Sequence, residues 1–336
     1  MESIYSTRIY KRFAQVLSLI TGVIPISVAE ILIICFIGFI IFKLVSRIIA
    51  LKKEPQNRLD ILLKCGATLL AALSIIYFSF IAVWGLNYHR QDFASIADYD
   101  VHEYSTQDLS QLAEHLILQA NYLRNYIEED ELGIMTLPDG KSDVMRRAHK
   151  GFDNAAEVYP QLGGKYGKPK MVLMSNVMSH LGIWGAYFPF TAEANVNISI
   201  PESMIPSITL HEMAHQRGFA REDEADYIAY LTAVMHPDYD FQYSGTLLAL
   251  RHTMSALSRA DFETFQVLAN SYSDGLARDM EHINMHNRSY QGRASQVSAQ
   301  INNTYLRANA QQDGIKSYGR MIDLMMASFL QELEEL

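Results

Sequence analysis

The stretch Thr209–Leu231, TLHEMAHQRGFAREDEADYIAYL, predicts two short helices that meet at a glycine. His211 and His215 are four positions apart, so a helix places both on one face. Gly218 is expected to end this helix, because glycine adopts the left-handed conformation of a helix C-terminus at little cost. A second helix is then predicted to begin near Arg221 and to return past the first.

These two helices carry residues suited to a metal site. Two histidines one helical turn apart can bind one Zn²⁺, and Glu212 between them can hold and deprotonate a metal-bound water. Catalytic zinc needs a third protein ligand and an open position, and Glu222 is predicted to be that ligand. Asp226 is predicted to accept the outer N–H of a ligand histidine. The expected centre is one Zn²⁺ held by His211, His215 and Glu222.

Glu224 is the alternative third ligand. It lies two positions after Glu222, about 200° around a helix, so both carboxylates cannot point at one metal. The short connection between His215 and Glu222 leaves the choice between the two glutamates open. Acids that only complement a helix dipole would explain the second helix, but they would not explain the HEMAH spacing.

Four stretches carry a resemblance to known families: WGLNYHR at 84–90, FTAEANVN at 190–197, HEMAHQRGFAREDEAD at 211–226 and YLRANAQQDGIKSYGR at 305–320. The third stretch resembles zincin metallopeptidases of the gluzincin type, whose third zinc ligand is the glutamate of an E-x-x-x-D/N helix. Its E-x-E-A-D string is similar to membrane-bound zinc proteases of the CAAX-prenyl endopeptidase kind. The four stretches together resemble a bacterial membrane-anchored family catalogued as domain of unknown function 3810. The resemblance implies a peptidase-like fold without an established substrate.

Two alternatives to this ligand set fail on the residues present. Gly218 stands where metzincins have a glycine, but the third-ligand position of that family is here Arg221, which does not bind zinc. His252, His282 and His286 are interpreted as polar surface or core residues and not as ligands.

Further residues are candidates for contact with substrate. In zincins an edge strand before the metal helix receives the substrate backbone, and Gly182–Ile200 is the candidate for it; an aromatic-rich core strand is the other interpretation. Glu193 and Asn195 are predicted to line the cleft. Tyr318 and Arg320 are candidate donors to the oxyanion, with helix packing and a surface ion pair as their alternatives.

The composition combines an acidic globular part with a basic, apolar front. The 336 residues carry a formal net charge of −9, and only 19% are charged, against roughly 25% in soluble domains. Residues 1–64 hold nine basic and four acidic residues, and the rest holds 19 basic and 33 acidic. Two cysteines exclude a disulfide scaffold. The acidic balance argues against nucleic acid as a partner.

Two apolar segments are predicted to span a membrane. Cys65–Tyr88 contains no charged residue, and it exceeds the roughly 20 residues that a span needs. Trp84 and Tyr88 are expected at the lipid–water interface. Ser27–Leu44 is the other predicted span, and it is too long and too far from the N-terminus for a cleaved signal peptide.

The basic residues predict the orientation of this hairpin. Residues 43–64, between the two apolar cores, carry six of them, whereas only Arg90 closely follows the second span. The positive-inside rule then places this loop in the cytoplasm and both termini outside. Residues 1–26 are predicted to form an amphipathic helix that either lies in the membrane interface or packs on the spans. Its apolar positions are Ile9, Phe13, Val16, Leu17, Ile20 and Ile24.

The remaining chain predicts an α+β arrangement that is mostly helical. Helices are expected over 106–128 and 142–159 and almost throughout from Ser203 onward. Short strands are expected at 171–174, 183–190 and 195–200, with a turn at TAEA.

These patterns predict three parts. They are residues 1–26, a transmembrane hairpin at 27–88 with spans at about 27–44 and 65–88, and a zincin-like metallohydrolase domain at 89–336. The expected function is that of a zinc metallopeptidase in the cell membrane, with its catalytic domain outside the cytoplasm and a peptide or protein substrate. The alternative is a catalytically silent, zinc-stabilised binding or sensing module. The lipid bilayer is the other expected partner.

Overall fold

The computed structural model describes residue 2, residues 4–309, residue 311 and residues 313–334. Within these ranges the chain is mostly helical with a small sheet, which confirms the predicted mixture of elements. The helices are α1 (Lys11–Gly22), α2 (Val28–Lys53), α3 (Arg58–Val83), α4 (Phe93–Ala97), α5 (Thr106–Arg124), α6 (Lys141–Arg147), α7 (His149–Val158), α8 (Ser175–His180), α9 (Ile205–Gln216), α10 (Glu222–Val234), α11 (Tyr239–Ala260), α12 (Phe262–Ala269), α13 (Asp274–Ser289), α14 (Arg293–Ala308) and α15 (Met321–Glu334). The strands are β1 (Lys170–Met171), β2 (Gly185–Phe188) and β3 (Glu193–Val196).

Helices α2 and α3 are long and apolar enough to span a membrane. Only 6% of the most apolar stretch of α2 is buried, and none of that of α3. A core helix of a soluble protein would bury these side chains, so α2 and α3 are not core helices of the described fold, and their exposure suggests membrane anchoring. The helix limits differ from the predicted spans: α2 continues to Lys53, α3 already begins at Arg58, and α3 ends at Val83. The basic residues near the connection are compatible with longer helices, because Lys and Arg have high helix propensities.

Trp84 and Tyr88, which were expected at the lipid–water interface, are buried inside the protein and do not face outward. The chain leaves α3 at Trp84 and enters a short 3₁₀ turn at Gly85–His89. Trp84 and Tyr88 are only 4% and 8% exposed. The Trp84 ring lies 5.7 Å from the ring of Tyr10 and 4.8 Å from that of Tyr187. The end of α3 is therefore part of the folded domain.

Helix α1 packs on the globular part with its small and polar side chains. Ala14, Ser18 and Thr21 are buried, and the Thr21 hydroxyl donates to the carbonyl of Thr191 at 3.0 Å. The predicted apolar face is exposed instead, and Val16 and Ile20 are 59% and 63% accessible. This places the apolar face of α1 on the outside of the molecule, as an interfacial helix requires.

The core of the globular part surrounds α9, whose residues are all buried. Helix α9 packs on α10 and α11 on one side and on the sheet on the other. The sheet has the order β1-β3-β2, with β1 parallel and β2 antiparallel to β3. Strand β2 is thus an edge strand. The turn predicted at TAEA, residues 191–194, lies two positions too late. The structure has the turn at 189–192, and β3 already begins at Glu193.

Candidate metal centre

Helices α9 and α10 form the candidate site. Helix α9 starts with Pro206 in its first turn and stops before Gly218, which has a φ of +88°. A side chain at that position would be strained, so glycine allows the sharp reversal. Arg221 precedes the first turn of α10. The predicted pair of helices joined at a glycine is confirmed.

Three side chains converge between these helices. Nε2 of His211 lies 3.2 Å from Oε2 of Glu222, and Nε2 of His215 lies 3.5 Å from the same oxygen. One ligand atom from each residue lies within 4.8 Å of the other two. Two imidazole nitrogens and one carboxylate oxygen are a donor set that zinc accepts at a catalytic site.

The outer nitrogens of both imidazoles have acceptors. Nδ1 of His211 lies 2.7 Å from Oδ1 of Asp226, and Nδ1 of His215 lies 2.7 Å from the carbonyl oxygen of Phe219. When Nδ1–H donates to these acceptors, each Nε2 keeps a free lone pair, and both Nε2 atoms lie within 3.5 Å of Oε2 of Glu222. Asp226 therefore occupies the place predicted for it.

The electrostatics of this pocket favour a positive charge. Burial opposes protonation of His211, but the carboxylates of Asp226, Glu222 and Glu212 outweigh it and raise the pKa of this histidine well above its ordinary value. Burial also disfavours the charged form of Glu222, yet the two histidines hold the pKa of this carboxyl below its usual range. A divalent cation would satisfy the same carboxylate.

Glu212 faces the same space. It is 4% exposed, and its Oε2 atom has no hydrogen-bond partner among the described residues. Burial raises the pKa of Glu212 to about 7. A Cβ atom at Gly185 of β2 would lie 2.7 Å from Cγ of Glu212, so only glycine lets the edge strand approach this closely. A buried carboxylate oxygen without a partner is costly unless a ligand supplies one, and the pocket accordingly fits a metal with its water.

Glu224, the alternative third ligand, points elsewhere. Its Oε1 atom accepts a hydrogen bond from the backbone N–H of Phe93 at 3.0 Å. Burial raises the pKa of Glu224 to about 8. Glu222 is the glutamate that joins the two histidines.

Glu193 and Asn195 do not line the cleft, which corrects the sequence prediction. The carboxylate of Glu193 accepts hydrogen bonds from the backbone N–H groups of Val28 and Ala29, at 3.2 and 2.8 Å. The Asn195 side chain accepts from the hydroxyl of Ser27 at 2.6 Å. Both side chains thus hold the first turn of α2 against the sheet.

Tyr318 and Arg320 have different surroundings. Burial raises the pKa of Tyr318 well above its ordinary value, and the charges of Glu222, Asp226 and Glu212 raise it further, so its hydroxyl lies within electrostatic reach of the site. Arg320 is exposed and forms ion pairs with acids at 313 and 323. Of the two predicted oxyanion donors, only Tyr318 lies towards the centre.

Three contacts near the centre were not predicted from the sequence. Nε2 of His252 lies 3.4 Å from Oδ2 of Asp226, so one carboxylate lies between two histidines. The Trp84 ring stands edge-on to the ring of His215, with centroids 5.9 Å apart. The Tyr88 hydroxyl donates to that of Tyr305 at 2.9 Å. The sequence contains a weak indication of the last two contacts, because Trp84 and Tyr88 lie in the motif-like stretch 84–90 and Tyr305 lies in the stretch 305–320.

The family model described as "Protein of unknown function (DUF3810)" matches residues 5–326. The chain belongs to this family. The predicted resemblance to it is confirmed, and DUF3810 covers both apolar helices and the candidate metal centre. No curated protein and no solved structure matches this DUF3810 chain.

Proposed function

We propose that this chain is a membrane-anchored zinc metallopeptidase with a gluzincin-like site. The observation that carries the proposal is the unpartnered, buried carboxylate of Glu212 beside the convergent atoms of His211, His215 and Glu222. A purely structural zinc site has no use for Glu212 and usually closes with a fourth protein ligand. In the described residues the group consists of three.

His211, His215 and Glu222 would hold the ion. When bound, Zn²⁺ supplies Lewis acidity that polarises a carbonyl and lowers the pKa of water. Glu212 accepts one proton as the water oxygen bonds to the peptide carbonyl carbon. The same proton then passes to the amide nitrogen as the C–N bond breaks, which gives a carboxylic acid and an amine. The second proton of the water leaves the new carboxyl group and moves to the amine, so the final products are a carboxylate and an ammonium group. Tyr318 is the candidate donor to the oxygen that becomes negative.

The edge strand β2 supports a peptide substrate. It lies beside Glu212 at Gly185, and its outer edge is unpaired in the part of the sheet that the structure describes. An extended peptide could add to this edge as a further strand, which aligns its carbonyl groups along the site.

Helices α2 and α3 would anchor the enzyme. Basic residues lie near the turn that joins them, including Lys52, Lys53 and Arg58, so the positive-inside rule places this turn in the cytoplasm. The N-terminus of α2 and the C-terminus of α3, where the domain is attached, would then lie outside the cytoplasm.

The test compares the full-length protein in detergent with its Glu212→Gln variant. We expect about one zinc per chain in both, measured by elemental analysis. Cleavage of a peptide library, followed by mass spectrometry, should fall about 10²- to 10⁴-fold in the variant because the general base is lost. Glu263→Gln, at an exposed glutamate of α12, is the matched control and should match wild type.

Two results would contradict the proposal in different ways. Zinc-loaded wild type that cleaves no peptide would favour the silent zinc-stabilised module. A wild type that binds no zinc under saturating metal would remove the site altogether.

A further inference from the structure

Helix α14 forms a bridge between the edge strand and the end of α3. Near its N-terminal end, a Cβ atom at Gly182, just before β2, would lie 3.6 Å from Cβ of Ser295. Near its C-terminal end, Tyr305 accepts a hydrogen bond from Tyr88, and its ring lies 5.9 Å from that of Phe80 in α3. One helix thus connects the strand beside Glu212 with an apolar helix predicted to span the membrane.

This bridging helix presents an exposed apolar stripe. Val297, Ile301 and Tyr305 follow one another at four-residue spacing and therefore share one face. Val297 and Ile301 are 54% and 66% exposed and lie one helical turn apart, so their side chains form one continuous apolar surface on α14. A groove of about 470 Å³ lies between this stripe and Leu181. Val297 and Ile301 of the stripe line it together with Leu181 and residues 293, 294 and 298.

The candidate metal centre lies beside the same end of α3. Trp84, the first residue after α3, contacts the ring of His215. Val28 and Ala29, the first residues of α2, are held by Glu193 of β3. The end of α3 therefore meets the domain next to the site, and the start of α2 is held on the same small sheet as β2. With α2 and α3 in a membrane, the site would stand close to where the bilayer surface begins.

We infer that the substrate is a polypeptide anchored in the same membrane by an apolar segment, which is cleaved where it leaves the bilayer. Its backbone adds to β2, and its apolar residues pack on the stripe of Val297 and Ile301, which continues to the end of α3. A soluble substrate would need neither an apolar stripe that reaches α3 nor a site beside it. This inference rests on the proposed peptidase function and on the proposed anchoring.

The first experiment uses full-length, zinc-loaded protein in liposomes and three synthetic peptide pools. One pool joins a randomised segment directly to an apolar helix of about 20 residues. A second carries the randomised segment alone. A third inserts a Gly/Ser spacer of about 30 residues, which lets the segment reach about 30 Å from the membrane. We expect the directly anchored pool to be cleaved at least about tenfold faster than the other two.

Variants of α14 then test the stripe. Val297→Ser combined with Ile301→Ser should lower the ratio of anchored to soluble cleavage about tenfold, because two apolar contacts are lost. Zinc content and thermal unfolding should stay as in wild type. Gln296→Ser combined with Gln300→Ser, also exposed on α14, is the matched control and should leave the ratio unchanged.

A binding readout separates this inference from the peptidase proposal. In the Glu212→Gln protein, a photoreactive amino acid in place of Ile301 should cross-link to the anchored peptide, and one in place of Gln300 should cross-link much less. Equal cleavage of the three pools, or no cross-link at 301, would overturn the inference. Cross-linking at 301 without cleavage in zinc-loaded wild type would retain the docking site and contradict the peptidase function.

Discussion

Glu222 and Glu224 stand two positions apart in α10 and have different partners. Glu222 lies against both imidazoles, whereas Glu224 accepts the N–H of Phe93. Glu222→Gln should lower zinc affinity at least about 100-fold because a charged ligand is removed. Glu224→Gln keeps an oxygen for Phe93 and should bind zinc as tightly as wild type.

The measurement for this pair is competition with a chromogenic zinc chelator, with thermal unfolding to show that both variants are folded. A loss of zinc in Glu224→Gln together with retention in Glu222→Gln would reverse the assignment. Equal affinity in all three proteins would mean that neither glutamate binds the metal.

The sequence predicted the contacts between site residues that follow from helical spacing. His211, Glu212, His215, Glu222 and Asp226 lie within sixteen positions on two helices, so four-residue spacing within each helix and the glycine between the helices were enough to place them together. His252 was missed because it approaches Asp226 from α11. That contact depends on how α10 and α11 pack, and a single sequence contains no local signal of such packing.

Among the elements, β2 and α9 approach most closely at Gly185. A Cβ atom there would overlap Oε1 of Glu212 and would lie 2.7 Å from its Cγ atom. Gly185→Ala should therefore displace the Glu212 side chain while His211 and His215 keep their positions. We expect peptide cleavage to fall about 100-fold with zinc binding retained, because a misplaced general base loses most of its effect.

The control for Gly185→Ala is Ala186→Ser in the same strand, because the side chain of Ala186 is exposed. It should leave cleavage and zinc binding unchanged. Wild-type activity in Gly185→Ala would show that the strand can move away from Glu212 at little cost. The close approach would then have no catalytic role.

Strand β3 and helix α2 are joined by Glu193. Its carboxylate accepts two N–H groups at the start of α2 and also the hydroxyl of Thr191. Glu193→Ala leaves these donors without a protein acceptor and should lower the free energy of unfolding by about 1–3 kcal/mol. Thermal unfolding in detergent measures the loss. Glu193→Gln keeps one acceptor oxygen and should lose less, and equal stability of both variants and wild type would contradict the role.

The contrast between Glu193 and Glu222 shows where prediction from the chain stops. The partner of Glu193 at Val28 is 165 residues away in sequence, whereas Glu222 lies seven positions after His215. The predicted strand limits were approximate because β1 and β2 end where their pairing with β3 ends, and this pairing is not local in sequence. The start of α5 was predicted correctly because its Ser105 capping box is local, whereas the helix ends at Arg124 and not at the predicted position 128.

In the whole molecule the domain and the two apolar helices form one unit. Glu193 and Asn195 hold the start of α2, and Trp84 carries the end of α3 into the site. The two attached ends thus lie on the same side, and the short turn around Asn57 lies at the opposite ends of the helices. If such a hairpin crosses a membrane, the start of α2 and the end of α3 lie on the same side of it.

The proposed orientation can be measured by cysteine labelling in spheroplasts of an expressing bacterium. With Cys35 and Cys65 replaced by alanine, Asn57→Cys reports on the turn and Glu263→Cys on the domain, since both positions are exposed. The basic residues near the turn should keep it in the cytoplasm, so an impermeant maleimide should label position 263 in intact spheroplasts. It should label position 57 only after permeabilisation. The reverse pattern would place the metal centre in the cytoplasm and overturn the orientation, and labelling of both positions in intact spheroplasts would show that α2 and α3 do not cross the membrane.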